Sequence, residues 1–144
     1  MTKLRRALNV MGKVERQELD RRRRVLGELD QTMAELERRG AELRRRFASE
    51  MEQGWALPDG ARLIAAWAPA HHHQVQNLAQ QRQQLQELRD RQAAAVVAQH
   101  TEVRRLELLH ERATMAERDE LARKDAAAID ELAVLRHRGP ARSR

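Results

Sequence analysis

Few residues of this chain have the type and spacing to do chemistry. The first candidates are three consecutive histidines, His71, His72 and His73. Helix neighbours point about 100° apart, so at most two of the three could share a metal ion. No carboxylate lies near them in sequence, and a helix-start or partner contact accounts for them better. Ser49 and Ser143 have no histidine partner of the kind that activates a nucleophile. No glycine-rich phosphate loop and no buried acid pair can be assembled. Met33 and Met51 fall at helical packing positions rather than in a ligand box. The runs Arg21–Arg24 and Arg44–Arg46 could track phosphates, but interleaved acids make a solvated face the better account. Aromatic stacking platforms are missing outside residues 47–67. The reading is therefore a non-enzyme with no cofactor, no metal and no nucleic-acid partner.

The elements that carry these residues are set by one interruption, residues 53–69. It holds Gly54, Pro58, Gly60 and Pro69, four of the nine glycines and prolines in the chain. Phe47, Trp55 and Trp67, the only aromatic residues, lie in it or beside it. Proline removes a backbone donor and glycine costs about 1 kcal/mol in a helix, so helices end and begin here. Elsewhere the composition is that of long helices, with 35% charged and 2% aromatic residues. Cysteine is absent and no apolar run approaches the roughly 18 residues that span a bilayer, which fits a reducing, cytosolic setting.

Before the interruption, Leu19, Leu26, Leu29, Met33, Leu36, Leu43 and Phe47 alternate in steps of three and four, with Arg22 and Gly40 in the remaining slots. That is a coiled-coil seam. Leu4, Leu8, Met11 and Glu15 lead into Leu19 with two successive four-residue steps, which predicts a stutter. After Pro69, a weaker seam runs through Leu78, Leu85, Gln92, Val96, Gln99, Val103, Leu106, Leu109 and Ala113, with Val75 before it and Leu121 after it. Ala68 precedes a proline and should leave the helical region, ending a short helix over 61–68. The expectation is all-α: two long helices in an antiparallel coiled-coil hairpin. Its parts are a first arm (1–53), an elbow with a short helix (54–69), a longer second arm (70–137) and a disordered basic tail (138–144).

Charge agrees with a hairpin. Residues 1–24 hold nine Lys/Arg against three Asp/Glu, whereas residues 101–131 hold six against nine. Opposite charge favours laying the two chain ends side by side, and parallel self-pairing would set basic on basic. At 1.5 Å per residue the second arm is about 100 Å long and the first about 75 Å. An overhang near residues 121–137, carrying Ile129, Leu132, Val134 and Leu135, is left to fray or to dock on a partner.

The order of parts resembles the flagellar export protein FliJ family. The matching pieces are Gly54-Trp55 at the elbow, the mixed Arg and Glu stretch Glu102–Arg118 around Leu106 and Leu109, and Ala127-Ala128-Ile129-Asp130-Glu131-Leu132. Pro58, Pro69 and the histidine triplet depart from the family pattern. The resemblance implies a monomeric, non-catalytic hairpin similar to the central stalk of rotary ATP synthases. Such a protein inserts its paired ends into the hexameric export ATPase FliI, contacts the membrane export gate FlhA and escorts substrate chaperones. It works in the cytoplasm at the inner face of the cell membrane. Carried over, the ATPase end comprises Leu4, Leu8, Met11, Leu121, Ile129, Asp130, Glu131, Leu132 and Leu135. The elbow surface comprises Trp55, Leu63, Trp67 and Leu78; the residues themselves allow Trp55 and Trp67 a small elbow core with Phe47 and Leu63 as well as a role as partner anchors. The rival readings are the equivalent stalk of a virulence secretion system and a dimeric coiled-coil scaffold or adaptor.

Overall fold

The computed structural model describes residues 2–139. It contains two helices, α1 (Lys3–Trp55) and α2 (Gly60–Arg138), and no strand among the described residues. The chain divides into two compact units, Glu18–Gln99 and a terminal unit of Met1–Gln17 with His100–Arg144. Within each unit the helices pack antiparallel, as the hairpin reading expects. Asp30 pairs with Arg89 and Glu37 with Arg82 at 3.2 Å in the first, and Arg16 lies 3.9 Å from Glu107 in the second. Exposed ion pairs of this kind contribute under about 1 kcal/mol each, so they select register more than they stabilise.

The seam is more regular than apolarity alone indicates. A line of shielded positions on α1 runs through Arg5, Leu8, Gly12, Glu15, Leu19, Arg22, Leu26, Leu29, Met33, Leu36, Gly40, Leu43 and Phe47 in unbroken steps of three and four, with Asn9, Glu18, Val25 and Ala41 half-buried beside it. The stutter expected at Met11 is absent. Met11 is 48% exposed, and Gly12 takes the inward position. A periodicity search looks for large apolar residues, whereas a seam also accepts a residue with no side chain, because it lets the partner helix come close. On α2 the second-arm seam residues from Leu78 to Ala113 are all buried or half-buried, with His110 beside Leu109. Leu106 is the deepest side chain of the protein at 2% exposure.

The elbow is shorter than the sequence suggests. Only Ala56–Asp59 lies outside the helices. Leu57 N–H donates to the Gly54 carbonyl and Gly60 N–H to the Leu57 carbonyl, each at 3.1 Å. The Asp59 carbonyl then accepts from Arg62 and Leu63 at the start of α2. The short helix expected to stop before Pro69 is instead the first part of α2, which continues through that proline. Proline costs a helix one hydrogen bond and strains the preceding turn, and helical sequence on both sides outweighs that local loss.

Gly60 is required by a close approach. A Cβ there would stand 2.0 Å from the Gly54 carbonyl oxygen, and one on Gly54 would stand 3.1 Å from Ile64. Gly27, by contrast, has nothing within 4 Å. Gly60→Ala is therefore expected to destabilise the protein by about 1–3 kcal/mol through overpacking. Gly27→Ala should stabilise it by up to about 1 kcal/mol through helix propensity. Urea melts of the two variants check both signs.

Candidate functional site

Thr2 caps α1, its Oγ accepting from the Arg5 N–H at 3.3 Å and its carbonyl from the Arg6 N–H at 3.1 Å. Glu117 on α2 clasps the same turn. One carboxylate oxygen accepts from the Thr2 N–H at 3.1 Å and the other from the Arg5 guanidinium. From Arg118 to Arg138 every residue of α2 is exposed. Leu121, Ile129, Leu132, Val134 and Leu135, the apolar members of this overhang, are 50–66% exposed. Asp130 and Glu131 lie between them on the same exposed helix.

On α1, the predicted docking residues separate. Leu8 is 8% exposed and belongs to the seam, in the neighbourhood of Leu106 and His110. It supports the surface rather than forming it. Leu4 and Met11 are exposed, together with Val10 and Val14, which sequence reasoning missed. Leu4, Ala7, Met11 and Val14 repeat in steps of three, four and three, one residue out of phase with the seam. That second stripe was detectable as a parallel periodicity, but the more regular first one masked it.

Near the elbow, Trp55, Leu57 and Leu63 are more than half exposed. Leu57 was not predicted. Trp67 is half-buried, stacked on Phe47 with ring centroids 5.0 Å apart, and His71 lies against both rings at 3.9 Å from Phe47 and 5.6 Å from Trp67. Leu78 is half-buried too, in a groove shared with Leu36, Gly40, Leu43 and Val75. Trp67 and Leu78 thus serve the packing of their unit, and Trp55 and Leu63 are its free apolar surface.

A family model described as flagellar FliJ protein matches residues 1–142 of the 144-residue chain. The chain belongs to the FliJ family. No curated protein and no solved structure matches it. Membership gives this FliJ-family chain a role connected with flagellar protein export. Among the described residues no helix is long and apolar enough to cross a membrane.

Two of the three consecutive histidines have structural uses. His71 completes the aromatic stack, and His72 meets Gln76 one turn on, at 3.2 Å. Among the described residues no three His, Cys, Asp or Glu side chains are placed to hold a metal ion. The predicted tail falls mostly beyond them. Arg138 ends α2, Gly139 donates to the Leu135 carbonyl at 3.0 Å, and residues 140–144 lie outside the described residues.

The clasp at the start of the overhang is sensitive to acid. Hydrogen bonds from Thr2 and Arg5 hold the Glu117 carboxyl at about 2, below its ordinary value of 4.5. A depressed carboxylate stabilises the fold above its ordinary value and loses that contribution as pH falls towards the folded value. Protection of the Arg5 and Arg6 amides, their exchange relative to the intrinsic rate at each pH, is therefore expected to fall between about pH 4.5 and pH 2. Glu117→Gln should show the lower protection already at neutral pH. Equal protection in both proteins would mean that the clasp does not hold the turn.

Proposed function

We propose that this FliJ-family protein is a non-catalytic stalk and escort of the flagellar type III export apparatus. Its terminal unit enters the hexameric export ATPase FliI and promotes assembly and activity of the ring. The observation that carries the reading is the overhang, a helix of regular sequence that leaves its apolar residues in solvent once α1 has ended. An uncovered apolar stripe of this size marks an interaction site. Leu121, Ile129, Leu132 and Leu135 would supply the apolar contacts, Asp130 and Glu131 the charged ones, and Leu4 and Met11 a second line from α1. Leu8 would hold α1 in register beneath them.

The elbow surface would meet the export gate FlhA through Trp55 and Leu63, with Trp67 and Leu78 shaping the support behind them. Exposed tryptophan is a strong anchor because it removes a large apolar area from water on docking. Substrate chaperones would be escorted on the same protein, in the cytoplasm at the inner face of the membrane. The flagellar description of the matching family supports this system over the equivalent virulence stalk. Antiparallel packing of the chain's own helices within each unit supports a hairpin stalk over a dimeric coiled-coil scaffold or adaptor.

ATP hydrolysis by the export ATPase of the same organism tests the reading. Wild-type protein should stimulate it, and polar substitutions at Ile129 and Leu132 should reduce the stimulation at least tenfold with helicity kept, a loss of about 1.4 kcal/mol or more in coupling. Trp55→Ala should leave stimulation intact and weaken capture of the gate. Unchanged stimulation by the overhang variant would remove the overhang from the working end.

A further inference from the structure

The overhang carries a charge pattern that docking on a ring does not require. Its apolar positions form a seam of Leu121, Ala128, Leu132 and Leu135, in steps of three and four once Asp125 is counted. Along one flank of that seam, Glu117, Lys124, Glu131 and Arg138 recur every seventh residue with alternating sign. In an antiparallel helix pair the same flank of each helix faces its counterpart, so alternation makes the line complementary to its own reverse.

We propose that the overhang also binds the overhang of a second copy of this chain, antiparallel, about a two-fold axis between Ala126 and Ala127. In this register Leu121 of each copy packs on Leu132 of the other, Asp125 lies over Ala128, and Leu135 lies on the stem of Arg118. Lys124 faces Glu131 twice, Arg138 approaches the Glu117 clasp, and on the opposite flank Ala122 meets Ile129. The contact spans residues 117–138, about six turns of each helix.

The charges exclude the neighbouring arrangements. A shift by one heptad in one direction sets Lys124 on Lys124 and Glu117 on Glu131. A shift in the other sets Glu131 on Glu131 and Lys124 against Arg138. Parallel pairing stacks Asp125 on Asp125 within the seam, where carboxylates are desolvated and repel. Of these arrangements only the two-fold register remains, and its members from Arg118 to Arg138 are exposed in the single chain, with Glu117 half-buried in its clasp. Self-association would cover Leu121 and Leu132, so a chain paired in this way could not offer them to any other protein. The inference goes beyond the proposed function and does not depend on it.

Sedimentation equilibrium of the full-length chain over a concentration series tests it, with Lys124→Glu, Glu131→Lys and the double exchange. Wild type should show a reversible, concentration-dependent dimer. Each single variant turns two attractive pairs into repulsive ones and should weaken the dimer about tenfold. The double exchange restores opposite signs across the axis and should return the affinity to near wild type. A chain that stays monomeric at every concentration would overturn the proposal and leave the stripe to another protein. A dimer indifferent to the single exchanges, or one the double exchange fails to restore, would overturn it as well.

Discussion

A helix pair can bury only one line of side chains from each partner, and that constraint governs most of what this protein does. The line on α1 runs from Arg5 to Phe47 without a break in its spacing, and five hydrophobic residues, Leu8, Leu19, Leu36, Val103 and Leu106, are buried outright. There is no second layer among the described residues, so an apolar residue off the line stays partly or wholly in solvent, half-buried at Val25 and exposed at Val10. Leu4, Met11 and Val14 are exposed for that reason, one step out of phase with Leu8 and Gly12. Such a structure cannot hide a binding surface inside itself. It presents one wherever its sequence has more apolar residues than the seam accepts.

The seam also tolerates residues that a globular core would reject. Arg5, Glu15, Arg22 and Glu117 sit on it half-buried, and the Nε atoms of Arg5 and Arg22 are shielded from water. Small residues have the opposite use. Gly12 lies buried in the seam, and Gly60 lies so close to the Gly54 carbonyl that no side chain fits. The four-residue connection between the helices depends on that approach, because a bulkier residue at Gly60 would force the turn open.

Much of the fold was legible in the sequence. Helical composition, the breaker cluster around Pro58 and the three–four spacing from Leu19 to Phe47 identify two antiparallel helices. The length difference between the arms foretells an overhang. Pro69 and Met11 were misread for related reasons, since each is judged by its own preference. Pro69 disfavours a helix locally, but the turns before and after it are cooperative and carry it along. Met11 is the more apolar of two adjacent residues, but packing distance favours its neighbour Gly12. Among the candidate site residues, the exposure of Leu121, Ile129, Leu132 and Leu135 was legible because they lie beyond the end of α1. Leu8 is held in the seam, and Trp67 stacks on Phe47 as the elbow-core reading expects.

The sequence by itself determined the fold class, the place of the turn and the uncovered stripe of the overhang, since these follow from periodicity, breakers and length, all of which are local. Tertiary structure decided which of two adjacent apolar lines on α1 faces inward and which aromatic rings remain free. Both depend on the distance between helices, set jointly by glycines and side chains far apart in the chain. It also decided where pairing ends. Glu117 closes on Thr2 and Arg5 across more than a hundred residues, a contact that no local pattern contains.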